Sequence, residues 1–200
     1  MWDILAKPLA GSLVVLEPLE DRHVADLRAA ASDPRVSQWL PVPLHEPSWF
    51  DWWREDAASA WALQRDVTFA TVRCTDGVAV GSTRFLELRE RDRSVEIGWT
   101  WLGPEMWQTG MNVEAKLLML GRAFEQAGCI RVELKTDARN ERSRAAMAAL
   151  PAQFEGIHRQ HRVLLDGSNR DSAWYSVIDR EWPDVRANLT RRLAARQVAN

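Results

Sequence analysis

The chain has 200 residues, 46% of them hydrophobic, which suits one domain (residues 1–200) with a sizeable buried core. Its 26 Lys and Arg against 28 Asp and Glu leave a formal net charge of −2, without the basic excess of a dedicated nucleic-acid binder. No apolar run reaches the roughly 18 residues a membrane helix needs, and the first residues lack the basic start and apolar stretch of a secretion signal. Cys74 and Cys129 each sit in strand-like apolar runs, which predicts buried thiols rather than a disulfide. The expectation is a cytoplasmic protein with neither nucleic acid nor membrane among its partners.

In chain order, residues 13–19 are rich in Val and Leu around Pro18 and predict a first strand. Asp21 is placed to cap a helix through residue 31, with Val24, Leu27 and Ala31 on one face; Ser32-Asp33-Pro34 ends it, because the residue before a proline is pushed out of the helical region. Residues 36–47 carry further prolines and read as an irregular connection. Ser48 then caps a second helix to about residue 64, on which Trp49, Trp53, Ala57 and Ala60 share a face and Trp52 points elsewhere.

Tryptophan is unusually abundant, at eleven against one tyrosine, and five of the eleven fall between residues 39 and 61. These rings either pack the helix on the core or form an aromatic lip over a cleft. Residues 67–74 and 78–86 predict a hairpin around Thr75-Asp76-Gly77, and residues 94–102 the next antiparallel strand. A helix over 113–127 places Val113, Leu117, Leu120, Phe124 and Ala127 at helical spacing and ends at Gly128, where a left-handed backbone costs glycine nothing. Residues 129–136 form a strand parallel to 94–102, because a helix connects the two. A short helix over 141–150, stopped by Pro151, precedes a hairpin of residues 153–165 and 170–178. A last helix covers 183–197. His158 and His161, three apart on a strand, should face opposite ways, and no residues suggest a metal site.

The stretch from Val95 to Ser143 organises the rest. Strand, glycine loop, helix, strand is a unit that points backbone N–H groups at a phosphate-bearing ligand, with Gly110 allowing close approach and the helix N-terminus adding its dipole. Glu96-Ile97-Gly98-Trp99, then Trp107-x-x-Gly110 leading into Glu114-Ala115, Asn140-Glu141-Arg142-Ser143, Phe154-Glu155-Gly156, and Arg170-Asp171 before Trp174-Tyr175-Ser176 form an ordered set. That set resembles the GNAT superfamily of N-acetyltransferases, in the branch containing the ribosomal-protein N-terminal acetyltransferases. The resemblance covers about residues 13–182.

The resemblance implies an α+β fold: a mixed sheet of about seven mostly antiparallel strands with one splayed parallel pair, helices on both faces, and a core of residues 13–182 followed by the last helix. It implies acetyl-coenzyme A as cosubstrate and no metal, with the pyrophosphate against Gln108, Thr109, Gly110, Met111, Asn112 and Val113. The pantetheine would pair with the strand end at Trp101 and Leu102, where a backbone N–H would also stabilise the oxyanion. Trp107 stands where the family loop has Arg or Gln, so the loop cation is missing, and Asn112 stands where it has a small residue. Asn140 matches the asparagine that bonds the pantetheine arm, and equally suits a helix N-cap. Ser143 lies near the usual tyrosine acid. Its hydroxyl is a weaker acid than a thiol of reference pKa about 8.5, so it reads as a hydrogen-bond donor to the thiolate or a relay. Tyr175, the one phenol, has no catalytic role in that branch. Glu96 is the first choice of general base and Glu133 its rival.

The implied activity is transfer of acetyl to a primary amine, a protein N-terminal α-amine or a small amine, by direct attack in a ternary complex. A non-catalytic acetyl-CoA sensor and another kind of nucleotide-binding α/β domain are the alternatives. The amine acceptor, a small molecule or peptide, is the expected partner, with a second copy of the chain in a homodimer also carried as an expectation. Glu46, Asp51, Glu55 and Asp56, among the tryptophans, would suit a polycationic acceptor if they formed an acidic lip.

Overall fold

In the computed structural model, which describes residues 2–197, the strands are β1 (Leu9–Ala10), β2 (Val14–Pro18), β3 (Val67–Arg73), β4 (Ala79–Arg89), β5 (Ser94–Leu102), β6 (Arg131–Asp137), β7 (Gln153–Val163) and β8 (Asn169–Ile178). The helices are α1 (Val24–Ala30), α2 (Pro34–Ser37), α3 (Pro47–Ala62), α4 (Met111–Gly121), α5 (Glu141–Ala149) and α6 (Trp182–Gln197). One sheet of eight strands runs β1-β2-β3-β4-β5-β6-β8-β7, and only the β5–β6 pair is parallel. The strand beyond the expected seven is β1, two residues long and paired through Leu9↔Leu16, too short to leave an alternating pattern in the sequence.

The two sheet faces bury separate clusters. On one, Val95, Ile97, Val132, Leu134 and Val177 meet Met119 and Leu120 of α4 and Val185 and Leu189 of α6. On the other, Ala70, Val72 and Trp101 meet Leu27 of α1 and Phe50 and Trp53 of α3. The tryptophan-rich helix is thus a core helix: Trp53 is buried edge-on against Trp101 at 5.7 Å, Trp49 is half-buried and Trp52 is exposed.

Several local expectations are corrected. Asp21 does not cap α1; Glu20 begins a 3-10 turn over Asp21–His23, and its N–H donates to His23 Nδ1. Glu46 rather than Ser48 stands at the N-cap of α3, with Pro47 in its first turn. Cys74 is exposed, because the β3–β4 turn follows it at once, while Cys129 is buried as expected; both thiols are free. The helix predicted to run through residue 127 starts two residues earlier and continues as a π-helical turn, Arg122–Gln126, before Gly128 closes it at φ +69°.

Two β-bulges matter more. Ser82 pairs with Trp101 but Arg84 with Gly98, so β5 carries an extra residue around Trp99, which takes a left-handed φ of +48°. Simple alternation puts residues 95, 97, 99 and 101 on one face. The bulge instead sends Trp99 and Trp101 to the α1–α3 side, the side of Glu96. Arg84, fully buried, supports it with its guanidinium 4.9 Å from the Trp99 ring and an ion pair to Asp56 at 2.7 Å. On β7 a second irregularity, with Gln160 at φ +50°, sets His158 and His161 on the same side of Trp174, at 4.2 and 5.1 Å between ring centres. The expectation of opposite faces fails because strand periodicity does not survive the bulge.

Candidate active site between the splayed strands

Pairing between β5 and β6 runs from Ser94↔Arg131 to Glu96↔Glu133 and stops. Beyond it the strands part around a cleft of about 440 Å³, walled by Ile97, Gly98, Thr100 and Leu102 on one side and Leu134 and Thr136 on the other. The backbone of β5 past Glu96 therefore has no strand partner on its β6 side, an open edge into which an extended chain could add its own amides. At the far end of β5 the chain turns through Pro104–Met106 to Trp107, whose indole N–H donates to the Leu102 carbonyl at 2.9 Å. Trp107, which replaces the loop cation, is thus a clamp between the loop and the strand end.

Gly110 is the N-cap of α4 at φ +96°, a conformation that strains any side chain, and a Cβ there would meet Leu13 Cδ1 at 3.3 Å and Arg196 Cδ at 3.4 Å. The following N–H groups of Asn112 and Val113 find no acceptor among the described residues, as helix starts require of a capping ligand. The helix itself is pinned by Glu114, buried beneath the β1–β2 turn.

Most of the predicted residues converge. Glu96, Trp101, Leu102, Gln108, Gly110, Asn112, Val113, Asn140 and Ser143 all line the cleft. Thr109 and Met111 do not: the Thr109 hydroxyl donates to the Met106 carbonyl at 2.7 Å, and the Met111 side chain belongs to the core. Asn140 caps α5, its Oδ1 accepting from the Ser143 N–H at 3.0 Å, which leaves its amide nitrogen for the cleft. Asn112 caps nothing, and its Oδ1 is buried without a partner. Tyr175 is buried outside the cleft, beside Phe154 and Arg144.

The charges sort the two candidate bases. Glu96 is 2% exposed and ion-paired to Lys135 at 2.6 Å; burial raises its pKa above the usual carboxylate range, and Lys135 offsets that only in part. Burial would also raise Glu133, but Arg89 at 2.7 Å and Arg131 at 2.9 Å outweigh it and hold the carboxyl low. Glu133 lies outside the cleft and is committed to these pairs. The cation absent from the loop is supplied from other elements. Arg142 of α5 stacks 4.0 Å from the Trp107 ring, Arg196 of α6 donates to the Gln108 carbonyl, and Arg192 joins them in the cleft wall. None of the three pairs with a carboxylate among the described residues.

No individual functional role was assigned from sequence to other cleft residues, among them Trp39, Trp99, Lys116 and Arg162. The bulge brings in Trp99, and the irregular connection before α3 brings in Trp39. The acidic side chains around α3 form no lip on the cleft, since Asp51 pairs with Arg28 and Asp56 with Arg84. Lys116 is buried on α4 with its ammonium donating to Thr100 at 2.7 Å, and burial lowers its pKa to about 7. Below that pH folded and unfolded chains both hold the proton, and the full cost of burying it is present. Between about 7 and the unfolded value near 10.5 the unfolded chain keeps a proton that the folded one releases. Stability should therefore rise with pH in this window, by up to about 1.4 kcal/mol per unit. Denaturant unfolding at pH 7 and pH 9 should show a slope that Lys116→Met flattens.

No three His, Cys, Asp or Glu side chains among the described residues come together to hold a metal ion, and no helix among them is long and apolar enough to cross a membrane.

Comparison with known proteins places this geometry. Residues 14–153 match the family model described as acetyltransferase (GNAT) domain. YdaF of Bacillus subtilis (strain 168), provisionally named a ribosomal N-acetyltransferase, is 28% identical over 170 residues, spanning 84% of this chain and 91% of that one. A GCN5-related N-acetyltransferase from Brucella melitensis is 30% identical, superposes with a TM-score of 0.86, and is matched over 94% of this chain and 86% of its own. Mycobacterium smegmatis RimJ, solved in complex with CoA-disulfide, shares the fold with a TM-score of 0.75 at 22% identity, over 94% of this chain and 93% of its own. An N-acetyltransferase relative across most of the chain, a family model over its central residues and a splayed parallel pair agree: the chain belongs to the GNAT acetyltransferase family.

Proposed function

We propose that the protein transfers the acetyl group of acetyl-CoA to a primary amine by direct attack within a ternary complex. The observation that carries this reading is the end of β5–β6 pairing at Glu96↔Glu133. It leaves an open backbone edge leading from the Gly110 loop to a buried carboxylate. The residues present fit the cosubstrate. Free N–H groups at the start of α4, a glycine whose added Cβ would crowd Leu13, and Arg142, Arg192 and Arg196 suit its phosphates. When bound, acetyl-CoA supplies an activated acyl group as a thioester.

The chain's own groups do the rest. Glu96, its affinity for protons raised by burial, takes a proton from the incoming ammonium so that the amine has a free electron pair. A backbone N–H on the free side of β5 stabilises the oxyanion formed as the amine attacks the carbonyl carbon. As the carbon–sulfur bond breaks, the Ser143 hydroxyl, on the cleft wall, donates a hydrogen bond to the departing thiolate, which takes up the second proton that the nitrogen loses in becoming an amide. Neither cysteine lines the cleft, so no acyl-cysteine is invoked. The name given to YdaF, a ribosomal N-acetyltransferase, supports a protein amine as acceptor, and a small amine is the other form of the same chemistry.

Thiol release with acetyl-CoA across a panel of amines tests the reading. Release that depends on the amine, with an acetylated product of matching mass, is the expected result. Calorimetric binding of acetyl-CoA with no release for any amine would establish a sensor instead, and binding of ATP but not coenzyme A would overturn both.

A further inference from the structure

Arg170 and Arg84 are both buried arginines, and they are treated very differently. Arg84 is held on two nitrogens: it pairs with Asp56 at 2.7 Å and donates to the Trp53 carbonyl at 3.2 Å, so that only its Nε is enclosed without a partner. Arg170 is 6% exposed, its side chain makes no hydrogen bond to any described residue, and its Nε is enclosed without a partner. The nearest carboxylate oxygen is Asp137 Oδ2 at 4.0 Å. Asp137 is already committed, its oxygens accepting from the Arg139 backbone N–H at 2.9 Å and from its guanidinium at 3.0 and 2.8 Å. A guanidinium is permanently charged and carries five donors in a planar fork; burying one with no hydrogen bond and only a distant, shared carboxylate is unfavourable unless something else completes it.

What Arg170 faces is the cleft, together with Arg162, its partner across the β7–β8 ladder. Sheet register fixes which side of the cleft this is. Glu96 pairs with Glu133, Lys135 with Trp174 and Asp137 with Ser172, so these residues and Arg170, two further along β8, rise from one sheet face. Arg142, Arg192 and Arg196, which the proposed function gives to the cosubstrate phosphates, belong to α5 and α6, whose apolar residues Met147 and Leu189 pack on the other face. Arg170 therefore stands at the acceptor side, on the same wall as the buried carboxylate that would receive the amine.

We propose that the acceptor is an amine bearing a carboxylate, and that Arg170 binds this carboxylate bidentately, with Arg162 beside it, while the amine lies at Glu96. The chemistry is met by a free amino acid, through its own carboxylate, or by a peptide with an acidic residue next to its N-terminal amine. This inference rests on the transferase reading above.

The test uses the whole protein at saturating acetyl-CoA, with matched acceptors: L-amino acids against their C-terminal amides, and peptides with Asp against Asn at the second position. The expected result is a kcat/KM about 10- to 100-fold higher for the carboxylate member of whichever pair is the true class, expressed mainly in KM. Arg170→Gln should erase that preference while leaving the KM for acetyl-CoA and the rate with the uncharged member nearly unchanged. Arg170→Lys, which keeps the charge but not the fork, should retain part of it. Equal rates for both members of both pairs would overturn the inference and leave the transferase reading intact. So would a variant that slows charged and uncharged acceptors alike, which is what a purely structural arginine predicts. If no amine turns over, the transferase reading fails. Calorimetric titration of the same pairs onto coenzyme A-saturated protein then decides the carboxylate preference, and its absence overturns this inference too. Should Arg170→Gln not fold, the wild-type ratio and Arg170→Lys still decide it.

Discussion

Replacing Glu96 by Gln should lower kcat about 10²- to 10⁴-fold while leaving the KM for acetyl-CoA close to its wild-type value. The substitution preserves shape and removes the one buried carboxylate that, among the described residues, lines the cleft beside the open strand edge. Glu96 also has the environment a base needs. Burial raises its pKa above the usual carboxylate range, and the ion pair with Lys135 favours the ionised form that can accept a proton. The pair gives a second, independent readout. Lys135→Met removes the charge and the hydrogen bond that favour the ionised form, so the carboxyl holds its proton to higher pH. The acidic limb of kcat/KM should move upward in that variant, with the plateau at high pH largely kept. A structural role for the pair would lower the plateau and leave the limb in place. Rates of Glu96→Gln within a factor of about ten of wild type would remove Glu96 as base. Thermal unfolding of both variants separates a chemical loss from a folding one.

The family and the position of the glycine loop were legible because much of the signal rests on backbone. A left-handed glycine at a helix start, a strand before it and a strand after it leave a spacing that side chains cannot disguise. Gly110, Asn140 and the parallel arrangement of β5 and β6 are found where that spacing puts them. The rest of the site was hidden by two kinds of event. Bulges at Trp99 and Gln160 shift strand alternation, so Trp101 and the histidine pair face sides that a period of two does not predict. Long-range pairing is the other: the loop lacks a cation, and nothing local says that Arg192 and Arg196, on a helix more than eighty residues later, deliver one. The acidic lip failed for the same reason, because Asp51 and Asp56 are neutralised by Arg28 and Arg84 from other elements.

Glu114→Ala should cost about 3–5 kcal/mol of stability and lower the melting temperature by roughly 10 °C, while weakening the hold on acetyl-CoA. Glu114 follows the Gly110 loop in the first turn of α4, but its carboxylate reaches back across the sheet edge. One oxygen accepts from the Ser12 N–H at 2.8 Å and its hydroxyl at 2.7 Å; the other accepts from the N–H groups of Leu13 and Val14 at 2.7 and 2.8 Å. The fit is tight, since a Cβ on Gly11 would lie 2.5 Å from the carboxyl carbon. Removing the side chain strands several donors in a place where each unmet one costs about 1–3 kcal/mol, with water and relaxation recovering part. Gln should do little better, because its NH₂ group must then face either the Ser12 N–H or the N–H groups of Leu13 and Val14. The link to function is Leu13, whose Cδ1 bounds the space around Gly110. Loosening the β1–β2 turn lets both the glycine loop and the start of α4 drift. The KM for acetyl-CoA should therefore rise about tenfold or more in Glu114→Gln, with kcat at saturation falling less. A variant that melts within a degree or two of wild type would show that the carboxylate is not what holds the helix start against the sheet.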